Sequence, residues 1–122
     1  MKTYRFEIMG EPKTKKNSQR IVMCGKFPKI MPSKAYCGYE KDALWQLAGK
    51  RYGIDTRVEV RCLYYMKTKR KVDLTNLLEA TDDILVKAGV LADDNSNIIY
   101  SHDGSRVFVD RLSPRVEIEI HG

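Results

Sequence analysis

The sequence predicts an α+β domain in which a mixed β-sheet is covered by two main helices. Three observations lead to this fold class: period-two alternation of apolar residues at the start, middle and end of the chain, two segments of helical periodicity, and a glycine after each helical segment. The predicted order is β-β-β-α-β-α-β-β. At 122 residues the chain has the length of one domain, so we expect a single domain over residues 1–122.

The first part of the chain is predicted to form three strands. Thr3–Met9 alternates between polar and apolar residues, which is typical of a half-buried strand. A polar loop follows over residues 10–19. Residues 20–23 and 26–31 then flank a Cys-Gly pair, and we expect them to form a short hairpin.

A helix and a long strand follow the hairpin. Ser33 can cap the helix, which we expect to run to about Tyr52 and to end at Gly53. Residues 57–66 alternate again and predict a strand. Its core-facing side chains would be Val58, Val60, Cys62, Tyr64 and Met66.

The second helix is predicted over residues 74–88, with Gly89 as its end. Its apolar stripe consists of Leu74, Leu77, Leu78, Thr81, Leu85 and Ala88. A different stripe consists of Asp73, Asn76, Ala80, Asp83 and Lys87. Because the two stripes are distinct, polar side chains can line a cleft while the leucines stay packed.

The end of the chain is again strand-like. Residues 97–100 and Arg106–Val109 favour extended structure, with an interruption at Asp103 and Gly104. Residues 115–120 alternate and end the chain in a strand.

Composition and charge narrow the function. The net charge of +6 and the isoelectric point of about 9.3 favour an anionic partner such as nucleic acid. No apolar run is long enough to span a bilayer, so we expect no membrane association. The three cysteines are far apart and contain no Cys-x-x-Cys pair, which argues against a zinc ribbon. We expect reduced thiols in a cytoplasmic protein.

Two basic segments predict contacts to phosphate. One is the cationic run at residues 67–71, in which four of five side chains are positive, and the other is the polar loop near the N-terminus. Each segment alone is equally consistent with a solvated loop. Because one of them adjoins a carboxylate, phosphate binding is the stronger hypothesis. The candidate DNA-binding residues are Lys13, Lys15, Lys16, Arg20, Lys69, Arg70 and Lys71.

Two aspartates flank the second helix. Asp73 precedes it and could be an ordinary helix cap, whereas Asp94 follows it and could belong to an Asx turn. A helix of this length is about 22 Å long, so the pattern alone does not bring the two carboxylates together. The adjacent His102 and Asp103 form a poor catalytic dyad, because neighbouring residues of a strand point to opposite faces.

The spacing of these acidic residues resembles that of the RusA family of Holliday-junction resolvases, small enzymes common on phages and prophages. The resemblance covers most of the chain. Its central motif is Asp73-Leu74-x-Asn76-Leu77, then Asp83-Ile84-Leu85, then Gly89, then Asp93-Asp94-x-x-x-Ile98.

The resemblance implies a homodimer that nicks four-way DNA junctions at symmetric positions in recombination and repair, with Mg²⁺ or, in its place, Mn²⁺ as cofactor. It implies that Asp73 and Asp94 are catalytic metal ligands, and Asp83 is our third candidate. Such an ion activates water and offsets charge on the phosphate oxygens. Asn76, Glu79 and Asp93 are expected to support these ligands.

Two departures from the family pattern leave an alternative open. Thr75 stands where many members have a second aspartate, and Glu79 stands where a lysine is common. The hydroxyl of Thr75 could still hold a metal-bound water, so we keep it as a candidate ligand. The alternative is a branched-DNA-binding protein with the same fold and impaired catalysis. A further option is an enzyme that cuts other branched or single-stranded DNA.

Overall fold

A five-stranded sheet with two helices against one face forms the core of the computed structural model, which describes residues 2–15 and 19–122. The elements in chain order are β1 (Thr3–Met9), β2 (Arg20–Cys24), β3 (Phe27–Met31), α1 (Lys34–Gln46), β4 (Val58–Met66), α2 (Leu74–Lys87), β5 (Ile99–Ser101), β6 (Arg106–Val109) and β7 (Arg115–His121). The predicted fold class and element order are confirmed, with three strands after α2 where the predicted order gives two. The interruption expected at Asp103 and Gly104 separates β5 from β6.

The sheet is mixed. Its order is β1-β7-β4, with β7 antiparallel to both neighbours, and β5 and β6 both pair in parallel with the other edge of β4. β4 therefore lies in the centre of the sheet, and the chain leaves its carboxyl end directly into the cationic run. β2 and β3 pair with each other in a separate two-stranded sheet, as the hairpin prediction required.

The core lies between the sheet and the two helices. β4 alternates strictly between buried and half-buried residues, and the five predicted core positions, Val58 to Met66 by twos, are the buried ones. From the helices, Ala43, Leu47, Leu77 and Leu85 pack into the same cluster. This packing holds α2 against the sheet and so fixes where both of its ends lie.

The first helix is shorter than predicted. It begins at the Ser33 cap as expected, where Ser33 Oγ accepts a hydrogen bond from the Tyr36 N–H at 3.1 Å, but it ends at Gln46 rather than near Tyr52. The chain leaves the helix after Gln46, because residues further along it are hydrogen-bonded to the segment that follows α2. Gly53 N–H donates to Gly89 O at 2.9 Å and Ile54 N–H donates to Val90 O at 3.0 Å.

The second helix agrees closely with its prediction. It ends one residue earlier than expected, and Gly89 follows with φ +78°, a conformation that favours glycine. Ala80, which we placed on the polar stripe, is instead 1% exposed. Its neighbours at three and four residues, Leu77 and Ile84, are both buried, so Ala80 completes the packed face.

Neither helix in the described residues has the length and apolar character that a membrane-spanning segment requires. The cysteines are unpaired: Cys62 is buried, Cys37 is half-buried and Cys24 is exposed.

Candidate functional site

Asp73 occupies the N-cap position of α2 without using its carboxylate as the cap. Its backbone carbonyl accepts from the Leu77 N–H at 3.1 Å, as a helix start requires, but its side chain bonds no backbone N–H. Instead Asp73 Oδ2 accepts a hydrogen bond from Asn76 Nδ2 at 3.2 Å. The carboxylate is thus oriented by a neighbouring amide and keeps further acceptor sites for a ligand.

A small cavity of about 100 Å³ opens beside this carboxylate. Its walls come from α2, from the residues before α2 and from the N-terminal loop: Thr14, Lys71, Val72, Asp73 and Asn76. A lysine and an aspartate therefore face one space, which suits a negatively charged group bound together with a cation.

A larger cavity of about 240 Å³ lies between the N-terminal loop and the cationic run. Lys13 from the loop and Arg70 and Lys71 from the run line it together. Glu11 joins the two segments, because it accepts from the Lys67 backbone N–H at 2.8 Å and from Lys13 Nζ at 3.1 Å. The two predicted basic segments are therefore neighbours in space.

The charge of Glu11 is compensated within this wall. Burial acts to raise its pKa, but the hydrogen bonds from Lys67 and Lys13 and the charge of Lys13 outweigh burial, and the pKa is lowered. Glu11 is accordingly ionised and connects the two basic segments through its hydrogen bonds.

The other predicted DNA-binding residues lie outside the two cavities. Lys69 is exposed on the cationic run. Lys15 pairs with Asp83, and Arg20 Nε donates to the carbonyl of Pro32 at 3.2 Å. Lys16 falls outside the described residues.

Asp83 does not lie with Asp73. Ten residues of helix separate them, which corresponds to about 15 Å along the axis. Asp83 faces α1, where its charge contributes, after burial and Glu40, to raising the pKa of Tyr36. Its carboxylate is engaged with Lys15.

Asp94 lies in an exposed loop whose turns are made by its neighbours. Asp93 accepts from the Asp94 N–H at 2.7 Å and from Asn95 Nδ2 at 3.1 Å, and Asn95 Oδ1 accepts from the Asn97 N–H at 2.9 Å. The Asp94 carboxylate takes no part in these bonds. Asp93 therefore shapes the loop.

The sequence analysis missed a pair that the fold creates between α2 and the end of β5. His102 Nε2 lies 2.9 Å from Asp82 Oδ2, and its Nδ1 lies 2.8 Å from the Val60 carbonyl. Asp82 and His102 are 20 residues apart in the sequence, and no pattern between them would link the two, so only the fold could show the pair.

The pair shares an additional proton. The Val60 carbonyl can only accept, so Nδ1 carries a hydrogen, and the contact between His102 Nε2 and Asp82 needs a second one. Burial acts to lower the pKa of His102, but the hydrogen bond and charge of Asp82 raise it. Burial raises the pKa of Asp82, the hydrogen bond and charge of His102 act against this rise, and the charges of Asp94 and Asp83 add to it.

The donors that could meet a metal ion are few. In residues 2–15 and 19–122, no three His, Cys, Asp or Glu side chains are close enough to form a metal-binding group. Mg²⁺, however, is commonly held by one or two carboxylates together with substrate phosphates. The hard oxygens of Asp73 and Asn76, beside a cationic cavity, fit an ion that arrives with a phosphate.

Comparison with known proteins gives two matches. A family model described as Endodeoxyribonuclease RusA matches residues 9–121. A "Crossover junction endodeoxyribonuclease RusA" from Aquifex aeolicus (strain VF5) is 30% identical over 69 residues, which is 55% of this chain and 55% of that protein. The aligned part thus spans about half the length of this curated relative. The family match includes both cavities and both ends of α2.

Proposed function

Because this chain belongs to the RusA endodeoxyribonuclease family, we propose that it is a crossover junction endodeoxyribonuclease that hydrolyses phosphodiester bonds in four-way DNA junctions during recombination and repair. One observation carries the proposal: within the family match, the carboxylate of Asp73 makes no capping hydrogen bond and lines a small cavity with Lys71, next to the larger cavity that cationic side chains line. Cations that attract a polyanion and a carboxylate that can hold a divalent ion are the two requirements of metal-assisted phosphodiester hydrolysis.

In this proposal the residues have separate roles. Lys13, Arg70 and Lys71 bind phosphates of the DNA backbone. Lys69 extends the cationic surface along the DNA strand. Asn76 holds the carboxylate of Asp73 in one orientation. Positions fixed in this way reduce the ordering that the reacting phosphate requires.

The proposed cofactor is Mg²⁺, and Mn²⁺ can replace it because it has the same charge and also prefers oxygen ligands. Asp73 and Asp94 would hold it, and Thr75 remains a candidate. Asp83 is about 15 Å from Asp73 along the helix axis and is paired with Lys15, so it is not part of this ligand set. When bound, the ion would activate water and offset the negative charge that develops on the phosphate.

The first prediction concerns Asp94. We expect Asp94→Asn to reduce cleavage of a synthetic four-way junction in Mg²⁺ by at least about 100-fold, the scale on which one group of a catalytic set usually acts. Junction binding should be kept or become tighter, because the substitution removes a negative charge that repels DNA. Cleavage is followed on denaturing gels and binding by fluorescence anisotropy.

Asp55→Asn is the matched control, because it makes the same chemical change at an exposed residue before β4. It should cut at the rate of the unaltered protein. If Asp94→Asn also cuts at that rate in Mg²⁺, Asp94 has no catalytic role and the proposed ligand set is wrong.

A second candidate function is branched-DNA binding without efficient cleavage. Two observations favour it: Thr75 and Glu79 depart from the family pattern, and the described part of the chain holds no three-ligand metal group. A cruciform plasmid incubated with the protein and Mg²⁺ or Mn²⁺ separates the two functions. Nicked or linear product supports the nuclease, whereas intact plasmid with a retained gel shift supports the binding protein. A panel of forks, flaps and single strands tests the option of another DNA substrate.

We also propose a homodimer. Resolving a four-way junction takes two nicks at symmetric positions, and a two-fold dimer presents two equivalent sites with the symmetry that these nicks require.

A further inference from the structure

The larger cavity between the N-terminal loop and the cationic run combines three features that point to one kind of ligand. It has a cationic wall, the amino end of a helix, and a buried hydroxyl that has no partner in the described part of the chain. From these features we propose that this cavity is a dedicated subsite for one DNA backbone phosphate, next to the phosphate that lies at Asp73. The inference rests on the proposed function, which it deepens.

The cationic wall presents several donors to one space. Arg70 offers a planar guanidinium and Lys71 an ammonium group, and Lys71 lines both cavities. Lys13 uses one donor on Glu11 at 3.1 Å, so its ammonium group keeps two more. The carboxylate of Glu11 in the same wall does not repel an anion strongly, because its two oxygens are already engaged by Lys13 and Lys67.

The start of α1 forms another part of the wall. Ser33 and Ala35 line the cavity, and they belong to the first turn of a 13-residue helix. Backbone N–H groups at a helix start lack intrahelical partners, and the helix dipole favours negative charge there. The Ser33 hydroxyl serves one of them, that of Tyr36.

The buried hydroxyl belongs to Thr14. This residue is 4% exposed and lines both cavities, yet its Oγ1 has no hydrogen-bond partner within residues 2–15 and 19–122. A buried hydroxyl without a partner costs free energy, about 1–3 kcal/mol in proteins. A phosphate oxygen where the two cavities meet would supply the missing acceptor.

Apolar atoms complete the cavity. Pro12, Met66 and Val72 contribute to its walls. They lower the local dielectric and so strengthen each hydrogen bond to an anion. The volume of about 240 Å³ accommodates a phosphodiester group with some water and is too small for a stacked base pair.

Thr14→Val gives a sharp test, because valine keeps the shape of threonine and removes only the hydroxyl. Since that hydroxyl has no partner among the residues that the structure describes, the variant should unfold in urea at the same or a higher midpoint. Its affinity for a four-way junction, measured without metal, should nevertheless fall about tenfold, as expected for losing a hydrogen bond to a charged group.

Lys71→Gln tests the charge. It should weaken junction binding and reduce the slope of log affinity against log salt by about 0.9, the value for one lost phosphate contact. Lys2→Gln is the matched control at the far end of β1, and we expect it to leave the affinity and the slope unchanged.

Inorganic phosphate tests the subsite independently of any activity on DNA. In ¹H–¹⁵N spectra, phosphate should produce saturable shifts at the amides of residues 13, 14, 35 and 71, whereas sodium chloride at equal ionic strength should not. Thr14→Val should reduce these shifts.

The outcomes separate the two proposals. If the protein never cuts DNA but shows these shifts and the loss of junction affinity in Thr14→Val, the subsite is supported and the proposed nuclease activity is wrong. If it cuts junctions while Thr14→Val binds phosphate and DNA like the unaltered protein, the nuclease stands and the subsite is wrong.

Discussion

Adjacent residues of α2 illustrate how one residue step decides chemical surroundings. Asp82 and Asp83 are separated by about 100° around the helix axis. Asp83 faces α1 and pairs with Lys15, whereas Asp82 turns towards β4 and β5 and pairs with His102. Two aspartates that are adjacent in the sequence thus differ in their surroundings. Asp83 belongs to a partly exposed ion pair, whereas Asp82 belongs to a largely buried pair that shares a proton.

This pair predicts a dependence of stability on pH. The pKa of His102 is raised in the folded protein, so protonation favours folding. Its stabilising contribution is complete below the unfolded pKa of about 6.5 and is lost as pH rises through the folded pKa. We therefore expect the unfolding free energy of the protein, minus that of His102→Gln, to decrease from pH 6 to pH 9 in urea titrations.

His121 is present in both proteins, so its contribution cancels in this difference. A difference that stays constant over the whole range would mean that His102 does not carry the additional proton.

At the scale of elements, the starts of the two helices differ in the use of their capping residues. Ser33 caps α1 through its side chain, whereas Asp73 occupies the corresponding position of α2 and leaves its carboxylate for other partners. Each arrangement serves the site. The capped start of α1 forms part of the wall of the larger cavity. The carboxylate of Asp73, which makes no capping hydrogen bond, faces the smaller cavity.

The Ser33 cap predicts a measurable stability effect. Ser33→Ala removes the acceptor of the Tyr36 N–H and should reduce the unfolding free energy by about 1 kcal/mol. Ser96→Ala, in the exposed loop after α2, is the control and should stay within about 0.5 kcal/mol of the unaltered protein. Equal urea midpoints for all three proteins would show that the cap contributes nothing.

At the scale of the whole molecule, the two faces of the sheet have different roles. One face packs against both helices, while on the other the cross-strand row Arg5, Glu119 and Arg61 is joined by ion pairs of 2.7 and 3.1 Å. The cavities lie at the carboxyl end of β4, so the cationic residues that follow this strand are attached to the most buried strand of the sheet. A rigid support of this kind keeps phosphate-binding groups in fixed positions.

The proposed dimer makes a prediction at this scale. Mixed dimers of the unaltered protein and Asp94→Asn contain one competent site each, so they should nick a cruciform plasmid once and leave open circles. Dimers with two competent sites should produce linear plasmid. Agarose gels distinguish the two products, and light scattering gives the mass of each assembly. A monomer at micromolar concentration that still linearises cruciform plasmid would contradict the proposal.

The sequence by itself determined the features that depend on near neighbours along the chain. Alternation identified the faces of β4, helical periodicity and Gly89 placed the two ends of α2, and residue spacing suggested the family. These features could be predicted because period and capping are set by the covalent geometry of a few consecutive residues. The end of α1 could not be predicted, because Gly53 and Ile54 are hydrogen-bonded to residues that are distant in the sequence, and these bonds direct the chain away from the helix axis.

Only the tertiary structure decided which groups meet. It connected Lys13 to the backbone of Lys67 through Glu11, placed the hydroxyl of Thr14 between two cavities, and joined Asp82 to His102. The physical reason is that these contacts cross from one element to another. They depend on how the helices pack on the sheet, to which burial of the whole core contributes and which no local pattern records.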